Sequence, residues 1–420
     1  MVSRRAALLV AVVMLALAIR LGYLALVQQP APDQDAWEYD LIGRSLVAGK
    51  GFAGVWDRPT VARAPLYPLF LAGTYAALGR DPDVVRVLQA IVGALTCAAS
   101  GFLAARIFGA AALLPAALAA ALWPALAVYP SLLLTETLAG AVLVLLVLVA
   151  TVSPDQPATW RRWLLVGVLG GLAALLRAEL LPVAMLVVAA AALVHRVGAR
   201  RVLGWVAAAA LGVSVVVLPW TARNFLVSGA VIPVATGLGT GLWLGAHPGD
   251  ITETPGRRRA DLPEYMTIYG PLERDEVALD RALLRAGLAM VAAHPARYVV
   301  NAGKRLWRLW VSSHTHAIPG LEESFGAAAR ARAVGTLAGK GVLGVAHLGL
   351  LALSAVGFVA ASLASSSRGL ALLALVPIAY CALVYAALFS TARYQVPLLP
   401  VLAAGVGYGF AVLCRRGEAR

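Results

Sequence analysis

Four carboxylates, Asp33, Asp35, Glu38 and Asp40, fall within eight residues of a chain that is otherwise mostly hydrocarbon. They follow directly on an apolar run, residues 6–27, and are themselves followed by Arg63. A carboxylate held at a bilayer surface can take the proton of an attacking hydroxyl. Arginine suits a phosphate, because its planar fork donates two parallel hydrogen bonds. Other ionisable residues interrupt or border later apolar runs: Glu136, Arg177, Glu179 and Arg393. An ionisable group at membrane depth needs a partner or a wet cavity, and of these Glu136, Arg177 and Arg393 are candidate site residues. An acidic run is also the composition of a plain solvated loop, here one capping a helix around Tyr39.

The elements that hold these groups are membrane spans. Hydrophobic residues make up 61% of the 420 and charged residues 13%, against about 25% charged in soluble domains. The net charge of +14 would suggest nucleic acid in a soluble chain. Here the basic residues border apolar runs, where they set topology and meet anionic lipid, so no nucleic-acid partner is expected. Cys97, Cys381 and Cys414 lie in or beside apolar segments without CxxC spacing, which indicates neither a disulfide framework nor a zinc site. The histidines 247, 294, 314 and 316 lack an acidic or cysteine complement, and two of them precede proline as turn punctuation. The run after Arg4 and Arg5 is longer than a signal-peptide core and reads as an uncleaved first span.

A span needs about 20 apolar residues, and about ten segments qualify: 6–27, 87–108, 110–128, 133–152, 163–178, 180–195, 202–221, 336–362, 369–389 and 394–413. Leu66–Leu78 is too short to cross and is expected to be a re-entrant or surface helix. The segments on one side carry Arg4, Arg5, Arg106, Arg161, Arg162, Arg196, Arg200, Arg201, Arg368, Arg415, Arg416 and Arg420, opposed only by Asp155 and Glu418. That bias puts both termini in the cytoplasm and the acidic loop outside. Two long outer segments result, 28–86 and 222–335, within one transmembrane domain, 1–420. The first carries a short amphipathic helix (Tyr39, Ile42, Leu46) ended by Gly49-Lys50-Gly51 and lying on the membrane. The second contains Arg257-Arg258-Arg259, an amphipathic helix stopped at His294-Pro295, and the basic-aromatic stretch Lys304-Arg305 to Trp310.

Four stretches, in this order and placement, resemble the GT-C superfamily of polyprenyl-phosphate-sugar-dependent glycosyltransferases. They are Asp33-Gln34-Asp35-Ala36-Trp37-Glu38-Tyr39; Arg63-Ala64-Pro65-Leu66-Tyr67-Pro68; Tyr129-Pro130-Ser131 through Thr135-Glu136; and Pro219-Trp220-Thr221-Ala222-Arg223-Asn224. The closer resemblance is to the family 39 type, which includes bacterial protein O-mannosyltransferases, aminoarabinose transferases and rhizobial galacturonosyltransferases. Arg393-Tyr394, opening the last span, also fits. The mannosyltransferases usually carry adjacent Asp-Glu in the first loop and a large soluble insert later, where this chain has Asp-Gln-Asp and no such insert.

The resemblance implies an all-α polytopic GT-C-like fold and an inverting hexosyl- or pentosyltransferase. The donor would be a polyprenyl-phosphate-linked sugar, and the acceptor an extracytoplasmic envelope glycan, lipid or protein. It implies Asp35 as the base, with Asp33 as runner-up or as a neighbour that tunes it. Glu136 would be an active-site wall, serving as ligand to the donor sugar or to a divalent cation. Arg63, Tyr39, Arg177, Arg393 and Tyr394 would bind substrate. Arg177, Arg393 and residues 304–310 are expected to form one basic pocket for the donor phosphate. Arg177 and Glu179, two apart in a helix, are not expected to pair with each other, and Arg177→Ala is expected to weaken turnover far more than folding. Arg223 and Asn224 could equally only cap their span. The alternative from another class is a transporter or flippase of a lipid-linked substrate. Transporters usually show matched halves with broken helices and charges near the midplane, whereas here the ionisable residues gather at one face.

Overall fold

A computed structural model describes residues 2–29, 34–151, 159–247, 262–323, 325–364 and 367–418. Among these residues the regular elements are helices, with one isolated antiparallel bridge between Ala53 and Pro59. Asp33 and the arginine triplet 257–259 lie outside the described residues.

The first span, α1 (Val2–Leu26), leads to the first outer segment, which holds α2 (Gln34–Val47) and α3 (Leu66–Leu78). Asp35 in the first turn of α2 and Arg44 in its last suit the helix dipole. α3 starts after Pro65, ends at Gly79 (φ 85°) and packs Tyr67, Leu71 and Tyr75 into a buried cluster with Ala36 of α2. This short helix is therefore a platform under α2, as its length requires. The pair is pinned by Asp40, which accepts from the Tyr75 hydroxyl at 2.7 Å and pairs with Arg44 and Arg80.

α4 (Pro82–Phe108) begins with an Asp81 cap, which accepts from the Asp83 amide, and with proline at its first position. Next come α5 (Leu113–Leu122), α6 (Pro124–Val128), α7 (Glu136–Ala150), α8 (Trp160–Leu176), α9 (Val183–Val194) and α10 (Ala199–Ser228). The second outer segment folds as α11 (Leu238–Ala246), α12 (Pro263–Leu272), α13 (Glu276–Ala293), α14 (Pro295–Val311) and α15 (Phe325–Arg330). α16 (Val334–Leu363), α17 (Arg368–Ala387) and α18 (Leu399–Glu418) complete the chain, with a 3-10 turn, Ala392–Leu398, leading into α18.

All ten expected spans are helical in their central parts, and among the described residues six helices are long and apolar enough to cross a membrane, or seven if a bent pair is one span. That pair is the expected span 110–128, broken by 65° where Trp123 is extended before Pro124. The expected spans 133–152, 163–178 and 180–195 are the shorter α7, α8 and α9, cut where the backbone leaves the helix at Thr151, at Arg177 and around Pro182. In contrast, 202–221 is part of a 30-residue helix that continues through Pro219.

Close packing of small residues sets the helix spacing. A Cβ added at Gly167 would fall 2.0 Å from the Ala209 carbonyl oxygen, and one at Gly357 2.0 Å from that of Gly405. α8 thus lies against α10 and α16 against α18 with backbones nearly touching, a geometry favoured where apolar side chains gain nothing by leaving lipid.

Candidate active site

The breaks in the helices are where the ionisable residues gather. Asp35 opens α2 and Glu136 opens α7, so each carboxylate sits at the positive end of a helix. Arg177 has extended backbone (φ −147°, ψ 110°) between α8 and a turn containing Glu179, and Arg393 and Tyr394 lie in the turn before α18. Arg63 comes from the loop before α3. Of these seven residues all except Glu179 were expected site residues, and all seven line one cavity of about 420 Å³ with Tyr39 and Tyr385.

The charges form a continuous network. Arg63 donates from Nη2 to Asp35 Oδ1 at 2.7 Å and to Glu38 Oε2 at 2.5 Å. Arg393 Nη2 donates to Asp35 Oδ2, and its Nε lies 3.8 Å from Glu136 Oε1. Arg177 donates to Glu136 Oε1 at 3.1 Å, to the Thr135 hydroxyl at 3.3 Å and, from Nε, to Glu179 Oε1 at 2.8 Å. Tyr385 donates its hydroxyl to the same Glu179 oxygen at 3.1 Å. Tyr394 lies under both arginines, with its ring centre 4.8 Å from the Arg177 guanidinium and 5.4 Å from that of Arg393. The Arg63 guanidinium lies 5.5 Å from the ring centre of Tyr39. These are distances at which a cation is attracted to a ring face.

Burial pushes Tyr39 up to about 12, keeping its hydroxyl neutral. Burial alone would lower the pKa of Arg63, but Asp35 and Glu38 hold it above its ordinary value. Burial opposes ionisation of Glu179, yet the Arg177 guanidinium and the hydrogen bonds it accepts leave its pKa below the usual carboxylate value. Arg63 and Glu179 are therefore each held in the charged form by a partner of opposite sign.

Several expectations change. Arg177 and Glu179 do pair, because the helix ends at Arg177 and the spacing rule for a continuous helix does not apply. Residues 304–310 do not line the cavity. Arg305 instead caps other elements, donating to the Ala386 and Gly245 carbonyls at 2.7–3.0 Å. Arg223 and Asn224 hold loops rather than substrate or a helix end. Arg223 donates to the Thr60 and Phe52 carbonyls, and Asn224 to those of Ile232 and Val234. Glu276 of α13 adds to this scaffold by accepting from the Thr60 hydroxyl and the Val61 amide. Arg223 and Glu276 thus hold the loop at Phe52, Thr60 and Val61, just before Arg63.

Glu38, Glu179 and Tyr385 were not among the expected site residues. Glu38 was legible in part, one helical turn from Asp35. Tyr385 carried no signal beyond its place at the end of a span. The cavity lining also includes residues 233–238, Leu388 and Phe389, which are largely apolar. As for a divalent cation, no three histidine, cysteine or acidic residues gather as a metal site among the described residues. Glu136 Oε1 lies 3.1 Å from Arg177 Nη1 and 3.8 Å from Arg393 Nε.

Comparison with known proteins follows the same lines. The model of the family described as dolichyl-phosphate-mannose-protein mannosyltransferase matches residues 58–220, a stretch that includes Arg63, Glu136, Arg177 and Glu179. No curated protein sequence matches the chain. Among solved structures, the archaeal oligosaccharyltransferase AglB from Archaeoglobus fulgidus, in complex with an inhibitory peptide and a dolichol-phosphate, is similar with a TM-score of 0.58 at 14% identity. The match covers 98% of this chain and 50% of that one. The A. fulgidus oligosaccharyltransferase in complex with Zn and sulfate gives 0.55 at 13%, over 97% and 49%. ArnT from Cupriavidus metallidurans bound to undecaprenyl phosphate gives 0.47 at 16%, over 98% and 78%. The chain spans about half the length of the archaeal enzymes, and at these identities the likeness is one of fold. The family match spans residues 58–220 of the 420, and the likeness to the archaeal oligosaccharyltransferase, across nearly all of this chain, is one of fold.

Proposed function

We propose that the protein transfers a sugar from a polyprenyl-phosphate carrier to an extracytoplasmic envelope acceptor, with Asp35 as base and inversion at the anomeric carbon. The observation that carries this reading is the mixed lining of the cavity. It holds Asp35 between Arg63 and Arg393, with Arg177 beside Glu136, and it also includes the apolar Val234, Leu238, Leu388 and Phe389. A phosphate on a long prenyl chain needs both kinds of surface. The solved relatives named above include proteins bound to undecaprenyl phosphate and to dolichol-phosphate.

In this mechanism the acceptor oxygen attacks the anomeric carbon while the bond from that carbon to the phosphate oxygen breaks. The carrier phosphate leaves with the electron pair, met by Arg177 and Arg393. The acceptor's proton passes to Asp35. A carboxylate with a guanidinium on each oxygen is a poor proton acceptor. The donor phosphate corrects this by drawing Arg393 away from Asp35, so the base is freed when the donor is in place. A glycan or lipid acceptor is favoured over protein, because the first loop has Asp-Gln-Asp in place of Asp-Glu.

The direct test is turnover by the purified protein given a polyprenyl-phosphate sugar and envelope extract. Release of polyprenyl phosphate that depends on the extract, with a new glycosidic bond in the product, is the expected result. Movement of the intact lipid across a vesicle bilayer without bond formation would favour the transporter instead.

Orientation is tested separately. The arginine-rich segments place both termini in the cytoplasm and the cavity outside. Reporters fused after Arg200 and Arg420 are expected to read cytoplasmic, and one near Lys50 external. An external C-terminal reporter would move the site to the wrong side for a lipid-linked donor.

A further inference from the structure

Arg20 lies within α1, is 1% exposed and is a cation at membrane depth. Its guanidinium donates to the Ala16 carbonyl at 2.8 Å and towards the Cys97 sulfur at 3.7 Å. Its Nε is buried and has no hydrogen-bond partner among the described residues. Such a group is among the costliest to bury and is rarely kept without use.

Glu136 presents the complementary case. It is 2% exposed, and its Oε1 is held by Arg177, but its Oε2 is buried without a partner. Arg20 and Glu136 line the same internal cavity, beside Thr96, Tyr129 and Thr137. That cavity leaves a water's centre about 20 Å³ to move in, where roughly 10–15 Å³ is enough for one molecule with two or more polar partners. An Nε–H only donates and a carboxylate oxygen only accepts. One water accepts from the first and donates to the second.

We propose that a single water joins Arg20 Nε to Glu136 Oε2, and that through it Arg20 acts as a positioning residue and counter-charge for the candidate site. Among the described residues the network around the large cavity has four carboxylates, Asp35, Glu38, Glu136 and Glu179, and three guanidiniums, which leaves one negative charge in excess. Arg20 cancels it. An arriving phosphate then meets a balanced site, and Glu136 is fixed at both oxygens. The counter-charge role rests on the donor reading above; the water bridge does not.

The bridge is tested by a high-resolution experimental structure of the full-length protein. A solvent peak within hydrogen-bond distance of both atoms is expected, and a dry cavity would overturn the bridge. The counter-charge is tested with Arg20→Met and Arg20→Lys, by measuring binding of a polyprenyl phosphate and of the uncharged polyprenol to the purified proteins. At an effective dielectric of about 20, removing a unit charge about 10 Å away weakens binding of an anion about tenfold. Arg20→Met is expected to lose about that factor for the phosphate with polyprenol binding unchanged, and Arg20→Lys to recover most of it. Equal losses for both lipids, as a merely structural role would give, or no loss for either, would overturn the counter-charge. Wild-type protein that binds neither lipid would overturn the donor reading and with it the counter-charge, while the solvent peak still decides the bridge.

Discussion

Asp35→Asn is expected to give a protein that inserts and folds normally, still binds the carrier lipid, and turns over more slowly by a factor on the order of 10² to 10⁴. The substitution keeps the side chain's size and most of its hydrogen bonding and removes the proton acceptor. Folding should be little affected, because Asp35 and its two arginines are partly open to the cavity, where an ion pair contributes little. Two controls separate base catalysis from loss of charge. Glu38→Gln removes a carboxylate from the same Arg63, so a purely electrostatic role for Asp35 predicts similar losses in both variants. Asp33→Asn tests the neighbouring acid and is expected to cost less than Asp35→Asn. Near-wild-type release of polyprenyl phosphate by Asp35→Asn would remove Asp35 as base and pass the role to Asp33 or Glu136.

The site was legible to the extent that chemistry stands out against hydrocarbon. Asp35, Arg63, Glu136, Arg177 and Arg393 are separated by up to hundreds of residues, yet each interrupts or borders an apolar run, and one cavity collects them all. Their pairing was not legible, since it depends on where helices stop. Arg177 reaches Glu179 only because α8 ends there. Residues 304–310 look like a phosphate site in one dimension, but Arg305 spends its donors on the carbonyls of two other elements. The lengths of the spans were hidden for a related reason. α7, α8 and α9 have the composition of spans, and only local breaks such as the one at Arg177 make them shorter. Helix neighbours were equally hidden, because contacts such as Gly167 on Ala209 leave no periodic pattern in a uniformly apolar stretch.

Arg177 is where the geometry changes an expected result. From sequence, truncating it should have cost turnover far more than folding. In the structure its side chain is 9% exposed and holds Glu136, Glu179 and Thr135 at once. Arg177→Met would leave two carboxylates without their shared cation, and breaking a buried pair from one side costs about 3–5 kcal/mol. Both stability and donor turnover are therefore expected to fall. The pH dependence identifies the cause. Glu179 has a lowered pKa in the folded protein, so its contribution is present above the unfolded carboxylate value and lost as pH falls through the folded one. Without Arg177, burial acts unopposed by that cation and raises the Glu179 pKa. The folded variant then binds more protons than the unfolded chain, and its stability rises as the medium is acidified towards pH 5. Thermal unfolding of the detergent-solubilised proteins at pH 8 and pH 5.5 reads this directly: the deficit of Arg177→Met should shrink at the lower pH, and adding Glu179→Gln should recover stability at pH 8 without recovering turnover. A deficit independent of pH, or one untouched by Glu179→Gln, would mean that Arg177 does not hold the site together through this pair.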